Sequence, residues 1–184
     1  MARIAIHELS ITEKVDIEFV TIRGPKSILL KNAPLGKVLA LLVDDELFSD
    51  SRIVVNKIGS LADSRKLTAK IDDSVSLSFE GFCIGFLENI AVWVREARRK
   101  QELISQELLE VERSRAIRCV EHLIQNMEHL RNSISLASIA VAGALDLAQR
   151  RLNFNEFGKY RELNDWLQEA TQRESFQSTE PQPI

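Results

Sequence analysis

The sequence contains a run of 57 residues, from Phe86 to Ala142, that has neither glycine nor proline. These two residues most often interrupt or end a helix, so a run of this length without them predicts long helix. A long helix with an apolar stripe is stable in water only when another element covers that stripe. The run therefore favours folds in which long helices pack against one another or against a partner.

The first half of the run carries a heptad pattern that starts with Leu87 at position a. Seven of its eight a and d positions are apolar over four heptads, and the surrounding residues are mostly charged. A narrow apolar stripe on a charged helix is typical of a coiled coil. We predict that this first seam is a partner interface formed by Leu87, Ile90, Val94, Ile104, Leu108 and Val111.

The second half carries a different heptad pattern, from Ile117 to Ala148. Eight of its ten a and d positions are apolar, and its g positions are apolar as well, which is typical of a bundle core. Its register is displaced by two residues from the first, which is about 100° around a helix. We therefore expect a bend or turn near Glu112–Ala116, or two different neighbours. The pattern leaves open whether residues 83–150 form one bent helix or two or three helices.

The first 82 residues have a different pattern, and no proline of the chain lies inside the long run. Alternation predicts strands at Ile4–Ile6, Val15–Phe19 and Val75–Phe79. Ile53–Val55 fits either a strand or a helix, and its β-branched residues favour a strand. Gly24-Pro25 predicts a turn, and Pro34 is expected to open a helix that carries Leu35, Val38, Leu39 and Leu42. The fold class predicted is α+β and mostly helical: a small mixed domain at 1–82, a long-helix coiled-coil or bundle region at 83–172, and a disordered tail at 173–184.

Composition excludes several classes of protein. The formal net charge of −3 gives no electrostatic footprint for nucleic acid or a membrane surface. The N-terminus does not resemble a signal peptide, and no stretch reaches the length of 18 or so apolar residues that a span needs. Cys83 and Cys119 lie far apart, which suggests reduced thiols in a cytoplasmic protein. We expect no membrane partner, no cofactor and no metal.

Three polar residues, Arg115, His122 and His129, share one line on the predicted second helix. Cys119 and His122 together supply only two metal ligands, which is too few for a zinc site. Arg115 and His122 are similar, at the loose end of the spacing, to the Arg–His pair of dimeric, all-helical HEPN-type ribonucleases, although Ala116 stands where that pattern has a polar residue. In that alternative the histidine would act as a general acid–base and the arginine would hold phosphate. Otherwise the line is a solvated outer face.

A basic cluster lies directly before a heptad segment, at Arg95, Arg98, Arg99 and Lys100. It resembles superficially the basic region of a DNA-binding helix, and it suggests a nucleic-acid-binding regulator as a third hypothesis. Glu96 and Glu102 interrupt the cluster, however, and the chain is acidic overall, so a solvated helix is the preferred interpretation and a nucleic-acid partner is not expected.

The sequence contains no Gly-rich phosphate loop, nucleophile elbow or paired-cysteine motif. Our leading hypothesis is therefore a non-enzymatic interaction or oligomerisation subunit of a cytosolic, bacterial multi-protein system. The exposed first seam would bind a protein partner, a second copy of the chain, or both.

Overall fold

The computed structural model of the chain describes residues 1–20, 27–62, 67–131 and 133–180. The chain forms two compact units, Met1–Thr68 and Ala69–Ile184. The N-terminal unit holds a two-stranded sheet, and the rest of the described regular structure is helical. The α+β, mostly helical fold class predicted from the sequence is confirmed at this level. The units divide after Thr68, whereas the sequence predicted a boundary at residue 82.

The described part of the first unit contains three α-helices and one hairpin. In chain order the elements are α1 (Ala2–Glu8), a 3-10 turn (Thr12–Lys14), α2 (Leu29–Asn32), β1 (Ala40–Val43), β2 (Glu46–Ser49) and α3 (Ser51–Leu61). Strands β1 and β2 are antiparallel, with Ala40 opposite Ser49 and Val43 opposite Glu46. Asp44 and Asp45 connect them, and both have a positive φ, 49° and 67°. Aspartate tolerates this backbone conformation, which two-residue hairpin turns require.

The core of the first unit lies between α1, α3 and one face of the hairpin. Ile6, Ile11, Val54 and Ile58 form its buried cluster. Leu39, Leu41 and Phe48 pack against this cluster as partly buried side chains. Because side chains alternate along a strand, Leu42 and Leu47 point away from this core and are exposed.

Several local predictions for this unit are wrong. Ile4–Ile6 lies in α1, and Ile53–Val55 lies in α3. The Asp50 carboxylate caps α3, and Val54, Val55 and Ile58 face the core at helical spacing, so packing overrides the β preference of these residues. No helix begins at Pro34 in the described structure; β1 begins six residues later. No strand is assigned at Val15–Phe19 in the described structure, and Gly24-Pro25 lies outside the described residues.

The second unit is helical. Its longer elements are α4 (Ser74–Ala97), α5 (Gln106–Gln125), α7 (Leu136–Leu152) and α8 (Arg161–Thr171). Its shorter elements are a 3-10 turn (Gln101–Leu103), α6 (Glu128–Arg131), a second 3-10 turn (Glu156–Lys159) and α9 (Glu174–Gln177). Helix α4 packs against both α5 and α7. The strand predicted at Val75–Phe79 is wrong, because Asp73 caps α4 just before it and Phe79 is buried in the second turn of this helix.

The predicted coiled coil is also wrong. The run without glycine or proline holds the second half of α4, all of α5 and α6, and the start of α7. Its first break comes at residues 98–105, before the predicted joint at Glu112–Ala116. Ser105 caps α5, and its backbone N–H donates a hydrogen bond of 2.7 Å to Oε1 of the buried Glu96. A side-chain carboxylate and a serine cap thus end one helix and begin the next without glycine or proline.

Helix α7 is the most deeply buried helix of the unit. Ser135 and Ser138 cap it reciprocally, each side chain accepting from the other residue's backbone N–H. Asn153 ends it with a left-handed backbone. The wide apolar stripe of the second heptad pattern faces the chain's own core, in which Val120, Met127, Leu130, Val141 and Leu145 are all buried.

The last helices cover part of this core. Leu163 and Leu167 of α8 are buried. The segment predicted as a disordered tail contains α9, and beyond it Glu180 forms an ion pair of 2.6 Å with Arg150 of α7.

Helix α4 has the length and the mean hydropathy, 1.4 over 18 residues, of a helix that could cross a membrane. Length and composition are weak evidence for a span, because a core helix of a soluble protein can have both. In this chain Phe86 and Ile90 of α4 are buried in the unit's own core.

The hydrogen bond from the Ser105 backbone to Glu96 predicts how the stability of the second unit depends on acid pH. The hydrogen bond from the Ser105 backbone, helped by Arg99, holds the pKa of Glu96 below its usual value. A carboxyl whose pKa is lowered by folding stabilises the fold above its unfolded pKa, and this contribution is lost as pH falls through the folded pKa. We therefore expect Glu96→Gln to lower the free energy of unfolding at pH 7 and to flatten its decrease below pH about 4.5. Urea unfolding followed by circular dichroism across this pH range measures both effects. If the free energy of unfolding of Glu96→Gln fell with acid as steeply as that of the unmodified chain, the stabilising role of Glu96 would be contradicted.

Candidate functional site

The first unit has an open backbone edge at residues 37–39, just before β1. No hydrogen bond involves the backbone N–H of these three residues within the described part of the chain. Gly36 precedes the edge with a φ of +58°, and a Cβ at this position would lie 2.9 Å from Cδ2 of Leu30. The peptide bond between Val38 and Leu39 is cis. Val38 is exposed, whereas Leu39 packs against the core, so the core holds the edge in place.

The N-terminus of α3 lies beside this edge. Ala40 pairs with Ser49, so the start of β1 is across the sheet from the residues that enter α3. Oδ1 of Asp50 accepts hydrogen bonds from the backbone N–H groups of Arg52, at 2.9 Å, and Ile53, at 3.3 Å. The backbone of Asp50 has a φ of +79°, and its side chain is exposed. These contacts leave Asp50 Oδ2 and the hydroxyl and N–H of Ser51 without a partner among the described residues.

Together, the open edge, Asp50 and Ser51 can recognise a short peptide-like ligand. A free strand edge offers backbone groups to an extended peptide. The first N–H groups of a helix attract a carboxylate, and an unused carboxylate oxygen can accept from an ammonium group. The arrangement therefore suits a ligand with an extended amide backbone and an amino-acid head group.

The structure does not bring the predicted Arg115–His122 pair together. Nη1 of Arg115 lies 2.5 Å from Oε1 of the buried Glu112, an ion pair within α5. The His122 ring packs on Phe82, with 4.5 Å between ring centroids, and the His129 ring packs on Phe79, at 4.9 Å. His122 and His129 therefore contact α4, whereas Arg115 pairs with Glu112 within α5.

The basic cluster lies at the C-terminal end of α4. Arg95 is exposed in the last turn, Arg98 caps the helix end, and Lys100 follows it. Arg99 forms an ion pair of 3.2 Å with Glu96. Cations in this position interact favourably with the helix dipole, which accounts for the cluster without nucleic acid.

The residues of the first seam are distributed over different environments. Ile90 and Val94 are buried inside the chain, and Ile104 lies between helices in extended backbone. Leu87 and Leu108 are half-buried, and Val111 is exposed. The seam therefore does not form one continuous surface.

Neither cysteine is prepared for catalysis. Burial raises the pKa of the Cys83 thiol, and burial also raises the pKa of the Cys119 thiol despite the nearby Arg118 and Arg115. Both stay protonated at neutral pH, and the thiolate is the nucleophilic form. No group of three or more metal-ligating side chains occurs among residues 1–20, 27–62, 67–131 and 133–180.

Sequence reasoning missed the candidate site because it placed a helix across it. Two signals could have located it. Asp44-Asp45, between Leu41 and Leu47-Phe48, is a two-residue hairpin signal of the kind that left-handed aspartates allow. Asp50-Ser51, followed by apolar residues at helical spacing, is a helix-start signal.

No protein-family model matches the chain, and no curated protein sequence matches it. The solved structures that it resembles include glutathione transferases. A glutathione S-transferase from Methylobacillus flagellatus with glutathione bound is 24% identical, with a TM-score of 0.85 over 98% of this chain and 92% of that one. A Pseudomonas fluorescens glutathione transferase family member with bound glutathione is 23% identical, with a TM-score of 0.85 over 99% of this chain and 92% of that one. Gtt2 from Saccharomyces cerevisiae is 21% identical, with a TM-score of 0.78 over 96% and 92%.

The chain thus has the fold of the glutathione transferases over almost its whole length. This likeness contradicts the hypothesis of a non-enzymatic interaction subunit built on a coiled coil, because the fold recurs in proteins that bind glutathione. The ribonuclease and nucleic-acid regulator alternatives are rejected with it. Arg115 pairs with Glu112 and the His122 ring packs on Phe82, so they form no Arg–His site, and the basic cluster lies at the end of a helix that belongs to the core of this fold.

Proposed function

We propose that the chain binds glutathione at the open edge and the N-terminus of α3. The observation that carries the proposal is the unpaired backbone of residues 37–39 beside Asp50 and Ser51, in a fold whose solved examples include glutathione complexes. Glutathione is a tripeptide thiol with an amino-acid head group, so it has the chemistry that this arrangement can recognise.

Each part of the ligand has a counterpart in this unit. The central amide of the tripeptide would pair with the backbone of residues 37–39 as a short additional strand. The α-carboxylate of its glutamyl group would accept from the N–H and hydroxyl of Ser51, at the positive end of α3. The α-ammonium group would donate to Oδ2 of Asp50, the oxygen that the helix cap leaves free.

The reaction class that fits this binding mode is transfer of the glutathione thiol to an electrophile. The sulfur forms a bond with the electrophilic carbon, the leaving group departs with the electron pair of its bond, and the thiol proton is released. Among the described residues neither cysteine thiol competes as a nucleophile, because burial raises the pKa of both.

Two substitutions test the binding site. Asn is as good a helix cap as Asp, so Asp50→Asn should preserve α3 while it removes the charge that would meet the ammonium group. Hydrogen bonds to charged groups contribute about 1.5–3 kcal/mol, so we expect Asp50→Asn and Ser51→Ala each to weaken glutathione binding by about tenfold or more. Isothermal titration calorimetry with reduced glutathione measures the dissociation constants.

A matched control lies in the same helix. The Ser60 hydroxyl donates to the Lys57 carbonyl near the C-terminal end of α3, so Ser60→Ala should leave glutathione affinity unchanged. Absence of binding by the unmodified chain at millimolar glutathione would reject the proposal. Equal losses in Ser51→Ala and Ser60→Ala would indicate a general effect on α3 and would reject this site.

The proposal includes pairing of two copies of the chain through helices, which is one of the alternatives that the sequence predicts. This pairing does not use the first seam as a unit, because Ile90 and Val94 are buried within the chain.

A further inference from the structure

Strand β1 has a free edge on the side away from β2. Val43 and Glu46 flank the two-residue turn, so they exchange backbone hydrogen bonds, and such pairs alternate along two antiparallel strands. Ala40 and Leu42 therefore direct their N–H and C=O groups away from β2. No hydrogen bond involves these groups among the described residues. The described sheet has two strands, so this edge of β1 is open to a third.

A strand-like segment, residues 15–19, borders the same core without belonging to the sheet. Val15 has an extended backbone, with a φ of −131° and a ψ of 118°, and its side chain packs against the buried cluster of the first unit. Apolar and acidic residues alternate from there, and Ile17 is 43% exposed and Phe19 82% exposed. No backbone hydrogen bond involves residues 15–19 within the described chain. The segment thus has the pattern of a strand without a neighbouring strand among the described residues.

The free edge and the segment lie on either side of one space. Leu41 of β1 and Val15 of the segment both pack against the same buried cluster of four side chains. Such a cluster is about 10 Å across, which is the width of two strand spacings. Leu39, Leu41 and Val43 face this core from β1 and are only half-buried. The space between the edge and the segment therefore has the width of one further strand, which would cover these side chains.

We propose that this space binds an extended segment of another polypeptide in which apolar and basic side chains alternate. The bound segment lies antiparallel to β1 and pairs with the backbone groups of Ala40 and Leu42, as in other cases of strand addition. Its apolar side chains face the core, on the side of Leu41 and Val15. Its other side chains lie on the opposite face of the enlarged sheet.

Acidic residues of the segment select basic side chains on that opposite face. Asp16 and Glu18 alternate with the apolar residues, so they lie on the face opposite to Val15. Both are exposed, and neither forms an ion pair with a described residue. The exposed Leu42 lies on the same face, on the side of β1. A lysine or arginine between them packs its methylene stem on Leu42 and places its charge beside Asp16 or Glu18.

A segment of another polypeptide fits this space better than the β1 edge of a second copy does. Strand β1 contains no basic residue to place beside Asp16 and Glu18. It also carries β2 on its other side, and a hairpin is two strands wide, whereas the space has the width of one. The second strand of the incoming hairpin would therefore occupy the place of residues 15–19.

Synthetic peptides test the proposal on the unmodified chain. A blocked peptide of about six residues, in which valine and lysine alternate, has the required pattern and the common length of a strand. We expect it to bind in isothermal titration calorimetry and to slow hydrogen exchange at the amides of residues 15–19 and 40–42. The same residues arranged as one valine block and one lysine block should bind at least about tenfold more weakly. Methylation of every second amide nitrogen of the alternating peptide removes donors to the edge and should weaken binding as much.

A charge change in the chain tests the choice of basic side chains. Glu18→Lys should weaken binding of the valine–lysine peptide by about fivefold or more, because attraction at this position becomes repulsion. The same variant should bind an alternating valine–glutamate peptide more tightly than the unmodified chain does. Glu46→Lys, at an exposed position of β2, changes the charge of the chain equally but away from the free edge, so it should alter neither affinity.

The outcomes are independent of the proposed function, because the peptides are tested without glutathione and bind beyond residues 37–39. If Glu18→Lys unfolds the chain, the methylated peptide still tests strand pairing on the unmodified chain. Absence of binding at millimolar peptide, equal affinity for the block peptide, or slowed exchange only at other residues would overturn the proposal. It would also be overturned if the chain alone formed a dimer in sedimentation with slowed exchange at residues 40–42, which would assign the edge to a second copy.

Discussion

Replacing Arg115 by alanine is expected to lower the free energy of unfolding by about 3 kcal/mol. Its guanidinium is the only hydrogen-bond partner of the Glu112 carboxylate among the described residues, and Glu112 is only 3% exposed. Oε2 of Glu112 already has no hydrogen-bond partner. Without Arg115 the whole carboxylate would be buried and unpaired, which is the costly state of a broken ion pair. Urea unfolding monitored by circular dichroism gives the value.

Replacing Glu112 instead of Arg115 should leave the stability unchanged or raise it. Glu112→Met removes the buried charge and fills its volume, and it leaves Arg115, whose side chain is 39% exposed, hydrated by water. Replacing a buried charge by an apolar group of similar size is often neutral or stabilising, so we expect a change between zero and a gain of about 2 kcal/mol. Arg161→Ala is a suitable control, because its ion pair with Asp165 is exposed and is worth at most about 0.5 kcal/mol. A larger loss for Glu112→Met than for Arg115→Ala would show that the carboxylate itself has a stabilising partner.

Phe86→Ala should destabilise the second unit by about 3–5 kcal/mol. The Phe86 side chain is 1% exposed and lies on the core side of α4, the helix that packs against both α5 and α7. Truncation would remove a large apolar side chain and leave a cavity that three helices would have to close. Thermal and urea unfolding of the purified variant measure the loss.

Two further variants test whether the lost packing of Phe86 causes this loss of stability. Phe86→Leu keeps most of the volume and should cost less than about 1.5 kcal/mol. Ile71→Ala truncates an apolar side chain that is 81% exposed and should change stability by no more than about 0.5 kcal/mol. If all three variants lost the same stability, the packing of Phe86 would not be the cause.

The helices of the second unit can be predicted from their repeating apolar residues. The elements that pack on those residues cannot. The stripe with Val120, Leu123 and Leu145 is buried as its pattern indicates. Seam residues Ile90 and Val94 have the same kind of pattern, and the structure buries them against the chain's own helices. A heptad pattern indicates that another element packs on the apolar stripe. It does not indicate whether that element belongs to the same chain or to a partner.

The break between α4 and α5 shows a second limit. Its signals are a serine at position 105 and a carboxylate nine residues earlier, and the carboxylate acts only because the chain folds back to it. A hydrogen bond between residues so far apart has no signature in a local window. The sequence therefore predicts a joint where the apolar pattern changes phase, near Glu112–Ala116. Helix α5 continues through these residues without interruption.

The candidate site was hidden for a related reason. Its backbone edge depends on which N–H groups lack a partner, a property of the folded chain and not of residue types. Asp50 and Ser51 were visible as polar residues, but the sequence does not show that Ala40 lies opposite Ser49 and brings the edge beside them.

The Asp44–Asp45 turn limits how the length of this chain can vary. Surface loops usually accept an inserted residue at little cost. Here one extra residue in either strand would shift the pairing by one position and exchange the two faces of that strand. Leu41 or Phe48 would then leave the core, and the start of α3 would move away from the edge before β1. Insertions and deletions should be tolerated elsewhere in the chain before they are tolerated between Val38 and Ser51.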